Sequence, residues 1–326
     1  MICRRILMCA AAMAALLPVS GAAFSAGFPE KGIRLIVPFP PGGSNDVIGR
    51  VVAQKLSEKI GQQVIVENKG GAGGIIGTEA AVKSAPDGYT LMIGAVSTLA
   101  GNPSLHAKLP FDVRKDLTPI APVARGPFVL AVPTDLPVQS VEDLIKLAKE
   151  KPGSLNYGSS GIGSSLHLVS ELFRSRAGNI DVVHVPYKGL GPAMADLLSG
   201  RIQFIFSDMS PLQPYIESGR LRAIGVSTEK AFDLLPDLKP IAASGAPEFV
   251  AEGWYGVLGP KDMPADVVAK LHQELTALAK DPAMIEKLKS LGVAPWVSTP
   301  EQFGAFIGEE IEKWTRVVKA ADIKPQ

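Results

Sequence analysis

Short apolar runs alternate with stretches of helical periodicity along most of this chain. Residues 33–37 form an apolar run of strand length. Pro38, Pro40, Pro41, Gly42 and Gly43 follow it and forbid both helix and ladder, because proline lacks the amide and glycine invites positive φ. Ser44, Asn45 and Asp46 are good N-cap residues, and Val47, Ile48, Val51, Val52 and Leu56 then recur at helical spacing up to Gly61. The predicted order is strand, glycine loop, helix, with the helix starting near Asp46. Such a unit gathers free backbone amides and the positive end of a helix dipole beside the strand's carboxyl end, which suits an anion.

The alternation continues. Residues 64–66 predict a strand, 67–74 a loop, 75–84 a helix, 89–93 a strand, and 94–98 a second small-residue loop at a strand end. Between 118 and 133 the pattern changes to two strand-like runs, 120–123 and 128–132, with no helix between them. Ser140 with Asp143 opens a helix to Lys151, and 155–157 is a brief strand. Residues 158–165 are a glycine–serine loop, and Leu166, Val169, Leu172 and Phe173 carry helical spacing beyond it. Strand, glycine loop, helix thus appears twice.

Strands follow at 182–185, 202–206, 221–226 and 253–258, with a helix at 191–198, and amphipathic helices at 264–279, 282–291 and 300–321 close the chain. Thr299, Pro300 and Gln302 cap the last one. The fold class expected is α/β, two parallel-sheet halves joined by crossings near 120–132 and 250–258, with the C-terminal helices returning to the first half. In residues, that division is 27–124 plus 252–326 against 125–251. No internal sequence repeat is visible.

Residues 1–26 read as a cleaved export signal rather than a membrane anchor. Arg4 and Arg5 precede an apolar run too short to span a bilayer, and small residues at Gly21, Ala22, Ala23, Ser25 and Ala26 offer cleavage near 23–26. Cys3 and Cys9 both lie inside this segment, so the mature chain carries no disulfide, thiol nucleophile or thiolate metal site. Without Arg4 and Arg5, the 33 basic residues become 31 against 32 acidic ones, a net charge of −1. No basic run appears, which argues against nucleic acid and anionic membrane as partners.

The two glycine loops, 38–46 and 158–165, are the candidate chemistry. Facing one another across a cleft, their amides and hydroxyls hold a carboxylate from both sides, each charge-assisted bond contributing roughly 1.5–3 kcal/mol. Neither loop is a nucleotide motif, since Ile76 replaces the last glycine of the dinucleotide fingerprint and no Walker sequence occurs. Ser160 with His167 suggests a hydrolase, but Ile162 stands where a nucleophile elbow needs glycine. His106, His167, His184 and His272 lack metal-ligand spacing, and no cofactor is expected. Lys188 after a strand is either a counter-charge or merely solvated, and Asp208 either accepts from a ligand or caps a helix.

Five motifs in order resemble the Bug/TctC family, the extracytoplasmic solute-binding proteins of tripartite tricarboxylate transporters. They are Val37-Pro-Phe-Pro-Pro-Gly-Gly-Ser-Asn-Asp46, Val66-Glu-Asn-Lys-Gly-Gly-Ala-Gly-Gly74, Pro86-Asp-Gly-Tyr89, the run from Leu155 to His167, and His184-Val-Pro-Tyr-Lys-Gly189. The resemblance implies a type II periplasmic-binding-protein fold that closes on its ligand without catalysis. It further implies a carboxylate held by Phe39, Pro41, Gly42, Gly43, Ser44, Asn45 and Asp46 from one side. Ser159, Ser160, Gly161, Ile162, Gly163, Ser164, Ser165 and His167 supply the other side, and Ser97, Thr98, Tyr187, Lys188 and Asp208 the lining. Met209 stands where the family often carries Asn. The expected partners are a small carboxylate and a membrane transporter or sensor kinase, with the protein acting as a monomer in the periplasm. The rivals are an exported serine hydrolase and an exported structural domain.

Overall fold

The computed structural model describes residues 27–321 and 323, so the expected signal segment and both cysteines lie outside the described residues. Strands β1 (Ile33–Val37), β2 (Val64–Asn68), β3 (Thr90–Ala95), β4 (Leu117–Pro127), β10 (Glu252–Pro260) and β11 (Ala294–Pro295) form a six-stranded sheet in the order β11-β4-β10-β3-β1-β2. Strands β5 (Val129–Pro133), β6 (Asn156–Ser159), β7 (Val183–Pro186), β8 (Phe204–Ser207) and β9 (Leu221–Val226) form a five-stranded sheet in the order β7-β6-β8-β5-β9.

The two sheets share a plan. In the first, β1 lies parallel between β2 and β3, and antiparallel β10 joins the far side of β3. In the second, β6 lies parallel between β7 and β8, and antiparallel β5 joins the far side of β8. Chain order therefore reverses beside β1 and again beside β6, and ligands of open α/β sheets bind in the crevice beyond such a reversal. The segments that follow β1, β3, β6 and β8 lie at these two points. This repeat is topological, carried by two unlike sequences.

The helices of eight residues or more are α1 (Ser44–Ile60), α2 (Ile75–Val82), α3 (Val141–Glu150), α4 (Ser165–Arg176), α5 (Leu190–Leu198), α6 (Met209–Glu217), α7 (Ala265–Leu278), α8 (Pro282–Lys289) and α9 (Pro300–Ala320). α1 buries Ile48, Val51, Val52 and Leu56 on the first sheet, as their spacing predicts. The Ser140 cap and the Thr299–Gln302 capping box are both formed. α7 and α9 pack on β4 and α8 on α1, so the C-terminal helices do return to the first half, and α9 also touches α4 of the second. Glu310 on α9 is buried and accepts from the indoles of Trp254 and Trp314, both at 3.0 Å, and from Lys313 at 2.9 Å. That tie fastens α9 to the crossing strand β10.

Three expectations change. The loop expected at 94–98 does not form: β3 runs through Ala95, and Ser97–Gly101 coils directly into a helical turn. α1 begins two residues before Asp46, capped by the backbone of Gly43 rather than by a side chain. α6 went unpredicted because Pro211 and Pro214 mask it; one sits in the first turn, where the amide has no partner anyway, and the other replaces a single ladder bond.

Candidate functional site

The loop after β1 is braced by a buried carboxylate. Asp46 accepts from Gly42 N–H at 3.0 Å, from Arg50 Nε at 3.0 Å and from Asn68 Nδ2 at 2.8 Å. Asn68 also donates to Phe39 O at 3.1 Å, which ties the far side of the same loop to the end of β2. Burial works to raise the Asp46 pKa, but the hydrogen bonds from Arg50, Gly42 and Asn68 outweigh it and hold the group below its ordinary value. With Asp46 so occupied, the N–H groups of Ser44, Asn45 and Asp46 are the unsatisfied first turn of α1, since the first helical bond is from Val47 to Gly43. The Asn45 Oδ1 is buried and without a partner in the same place.

Ser44 reaches across the molecule. Its hydroxyl donates to Asp208 Oδ2 at 2.5 Å, from the first turn of α1 to the end of β8. Tyr255 on β10 donates to Asp208 Oδ1 at 3.1 Å. Asp208 is thus the backbone cap of α6 without a side-chain capping bond, and its carboxylate serves the other sheet instead. Burial pushes its pKa above its ordinary value, and the bonds from Ser44 and Tyr255 offset this only in part. Beside it, Ser207 is fully buried with an unpartnered hydroxyl.

The loop after β6 is closed on itself. Gly161 and Gly163 have φ of +131° and +80°, values that a side chain would strain. Gly161 N–H donates to Ser159 Oγ at 3.2 Å, and Gly163 N–H donates to His167 Nδ1 at 3.1 Å. Ser164 caps α4 by accepting from His167 N–H, and its hydroxyl donates to Gly161 O at 2.8 Å. The amides of Ser160, Ile162, Ser165 and Leu166 keep no intramolecular acceptor among the described residues. Gly163 lies against Leu105, and Gly101 against Leu168, so this loop borders the turn after β3.

The expected site residues divide accordingly. Ser44 and Asp208 are in contact, and Phe39, Pro41, Gly42, Gly43 and Asn45 surround the same α1 terminus, with Phe39 and Thr98 both against Gly74. Thr98 is fully buried, and its hydroxyl is spent on Ala95 N–H and Ala95 O; Ser97 is buried beside it. Ser159 is fully buried as a floor to its loop, while Ile162 is 51% exposed at the tip. Tyr187 gives its hydroxyl to Asp196 at 2.8 Å, and burial with that carboxylate pushes its pKa up to about 12. Lys188 is exposed one strand away from the reversal. Asn68, His184 and Tyr255 are not among the expected site residues: Tyr255 reads from the sequence as core and His184 lacks metal-ligand spacing, and the partners of all three are distant in sequence.

Chemically, the arrangement offers unsatisfied neutral donors on each of the two loops, and no assembled nucleophile. Ser160 makes no bond to His167, whose Nδ1 is taken by Gly163. Among the described residues no metal-binding cluster occurs, and no helix is long and apolar enough to cross a membrane. A groove of about 440 Å³ lies along α3, lined by Glu142, Ile145, Lys146, Lys149, Glu150 and Gly245, none of them from either loop.

Comparison with known proteins shows the family and the fold. Residues 48–323 match the family described as tripartite tricarboxylate transporter family receptor. The chain is 38% identical over 298 residues to protein BugT of Bordetella pertussis, covering 91% of each. A solved structure described as a periplasmic transporter is 43% identical with a TM-score of 0.85, covering 92% of this chain and 100% of that one. The R. palustris protein Rpa4515 with adipate is 34% identical with a TM-score of 0.87 and the same coverage.

Proposed function

The chain belongs to the tripartite tricarboxylate transporter receptor family, and from that premise we propose that it is an exported receptor that captures one small carboxylate by closing two lobes over it. The family's members and the similar structures are periplasmic solute-binding proteins, and the fold is the two-lobed one that the motifs imply. The observation that carries the reading is the Ser44–Asp208 contact, which sets the free first turn of α1 against the strand ends of the second sheet.

In this reading the carboxylate accepts from the amides of Ser44, Asn45 and Asp46 on one side and of Ser160, Ile162 and Ser165 on the other. The lobes are 27–124 plus 252–326 and 125–251, hinged at β4 and β10. Ligand stabilises the closed form only by its greater affinity for it, so no covalent step is involved. The adipate bound to the R. palustris relative supports the carboxylate class, and the family's description supports delivery to a membrane transporter. Residues 1–26 act as the export signal, with cleavage near 23–26, and a monomer suffices for capture.

Thermal unfolding of ligand-stripped protein against mono-, di- and tricarboxylates tests the proposal. A ligand at about one hundred times its Kd adds roughly 2.7 kcal/mol, which is about 5–10 °C in Tm at this size. A rise confined to one carboxylate group is the expected result; a folded, empty protein that no carboxylate stabilises overturns it. Ser160→Ala is expected to keep binding, and turnover of any ester that this variant abolishes returns the hydrolase reading.

A further inference from the structure

We propose that His184 is a positioning residue for the carboxylate-binding loop after β6, acting through Ser159 rather than by touching ligand. The inference rests on the carboxylate reading of that loop. His184 sits on β7, outside the loop, and its ring is held on both faces. Tyr157 stacks on it with centroids 4.8 Å apart, and His167 stacks with centroids 4.1 Å apart and planes 10° off parallel. Its Nε2 lies 2.7 Å from Ser159 Oγ.

Ser159 has one hydroxyl proton and three neighbours: His184 Nε2, Gly161 N–H at 3.2 Å and Gly161 O at 3.1 Å. All three contacts are satisfied together when His184 carries its proton on Nε2. The imidazole and the Gly161 amide then donate to Oγ, and the hydroxyl donates to Gly161 O. His167 completes the frame from the other face, since its Nδ1 accepts from Gly163 N–H and must be unprotonated to do so. Ser159, positioned by His184, thus takes the amide of Gly161, and His167 takes that of Gly163, while the neighbouring amides of Ser160 and Ile162 keep no intramolecular acceptor among the described residues. A loop with two positive-φ glycines has many alternative conformations, and this frame selects one.

The charged groups around the pair are few. Glu171 on α4 accepts from Tyr157 at 2.6 Å and pairs with Arg174 at 2.8 Å, which leaves both committed to each other. Burial lowers the pKa of both histidines and keeps them neutral near pH 7, as the frame requires; His167 adds to the effect at His184, and Glu171 opposes it at His167 without reversing it.

Amide hydrogen exchange of the folded, ligand-free protein reads the frame directly, and adipate titration reads its consequence. In His184→Ala, exchange at Gly161 and Gly163 is expected to rise at least tenfold while Gly42 on the other loop is unchanged. His184→Gln, whose amide reaches Ser159 Oγ, is expected to restore protection at Gly161. Where the parent binds adipate, His184→Ala is expected to weaken it at least tenfold and His184→Gln to recover most of that loss. Unchanged exchange in His184→Ala, or equal loss at Gly42 from general loosening that the Gln variant does not repair, overturns the proposal. Failure of the parent to bind adipate bears on the carboxylate reading with this probe, and the exchange result still decides the role of His184.

Discussion

A neutral imidazole pair under the glycine loop after β6 makes acid the natural stress on this protein. Burial first, and the adjacent His167 second, push the His184 pKa down from 6.5 to about 3, and burial lowers His167 as well. A base with a depressed folded pKa binds its proton more readily in the unfolded chain. Its contribution is therefore complete above the unfolded pKa near 6.5 and is lost as pH falls toward the folded value. Chemical denaturation at a series of pH values should show the parent losing roughly 2–4 kcal/mol more than His184→Gln between pH 6.5 and 3, after allowance for partial solvent screening. Parallel curves for the two proteins would show that the ring is not the titrating group. Residue identity alone does not reveal this. Thr98 and Tyr187 look as available as Ser44 in the sequence, yet their hydroxyls are spent on Ala95 and Asp196.

Elements were more legible than residues. Apolar spacing located α1 and the two glycine loops, and the caps at Ser140 and Thr299 are local hydrogen bonds between residues three apart. The element most exposed to a single change is α9, because Glu310 is the shared acceptor of two buried indoles. Glu310→Ala leaves both N–H groups buried without partners and is expected to cost about 2–4 kcal/mol, a Tm drop of roughly 4–16 °C. Glu310→Gln retains an acceptor oxygen and should cost less than half of that. Calorimetric melts of the two variants separate a shared acceptor from a bystander: equal and small losses would mean that the indoles find other partners. No sequence pattern announces this tie, since Trp254 and Glu310 meet only when α9 returns to β10.

At the scale of the whole molecule, two sheets of the same plan meet at Asp208, which accepts from Tyr255 on β10 and from Ser44, 164 positions earlier in the chain. Asp208 carries an unfavourable buried charge there, and Ser44 supplies the shorter of its two hydrogen bonds. Ser44→Ala is expected to shift the ligand-free protein toward an open form, seen as a larger radius of gyration in solution scattering that added ligand reverses. An unchanged radius would assign lobe closure to other contacts. Spacing, glycine and capping residues, read from the sequence alone, were enough to place two strand–loop–helix units, the crossings and the return of the C-terminal helices. Those features depend on backbone dihedrals and on burial of one face, which neighbouring residues set among themselves. Only the tertiary structure decided which donors stay free: Gly161 and Gly163 are consumed, Ser44 is given to Asp208, and the first turn of α1 is left open. A polar group's availability depends on whether a partner reaches it, and here His184 and Asp208 arrive from strands far along the chain.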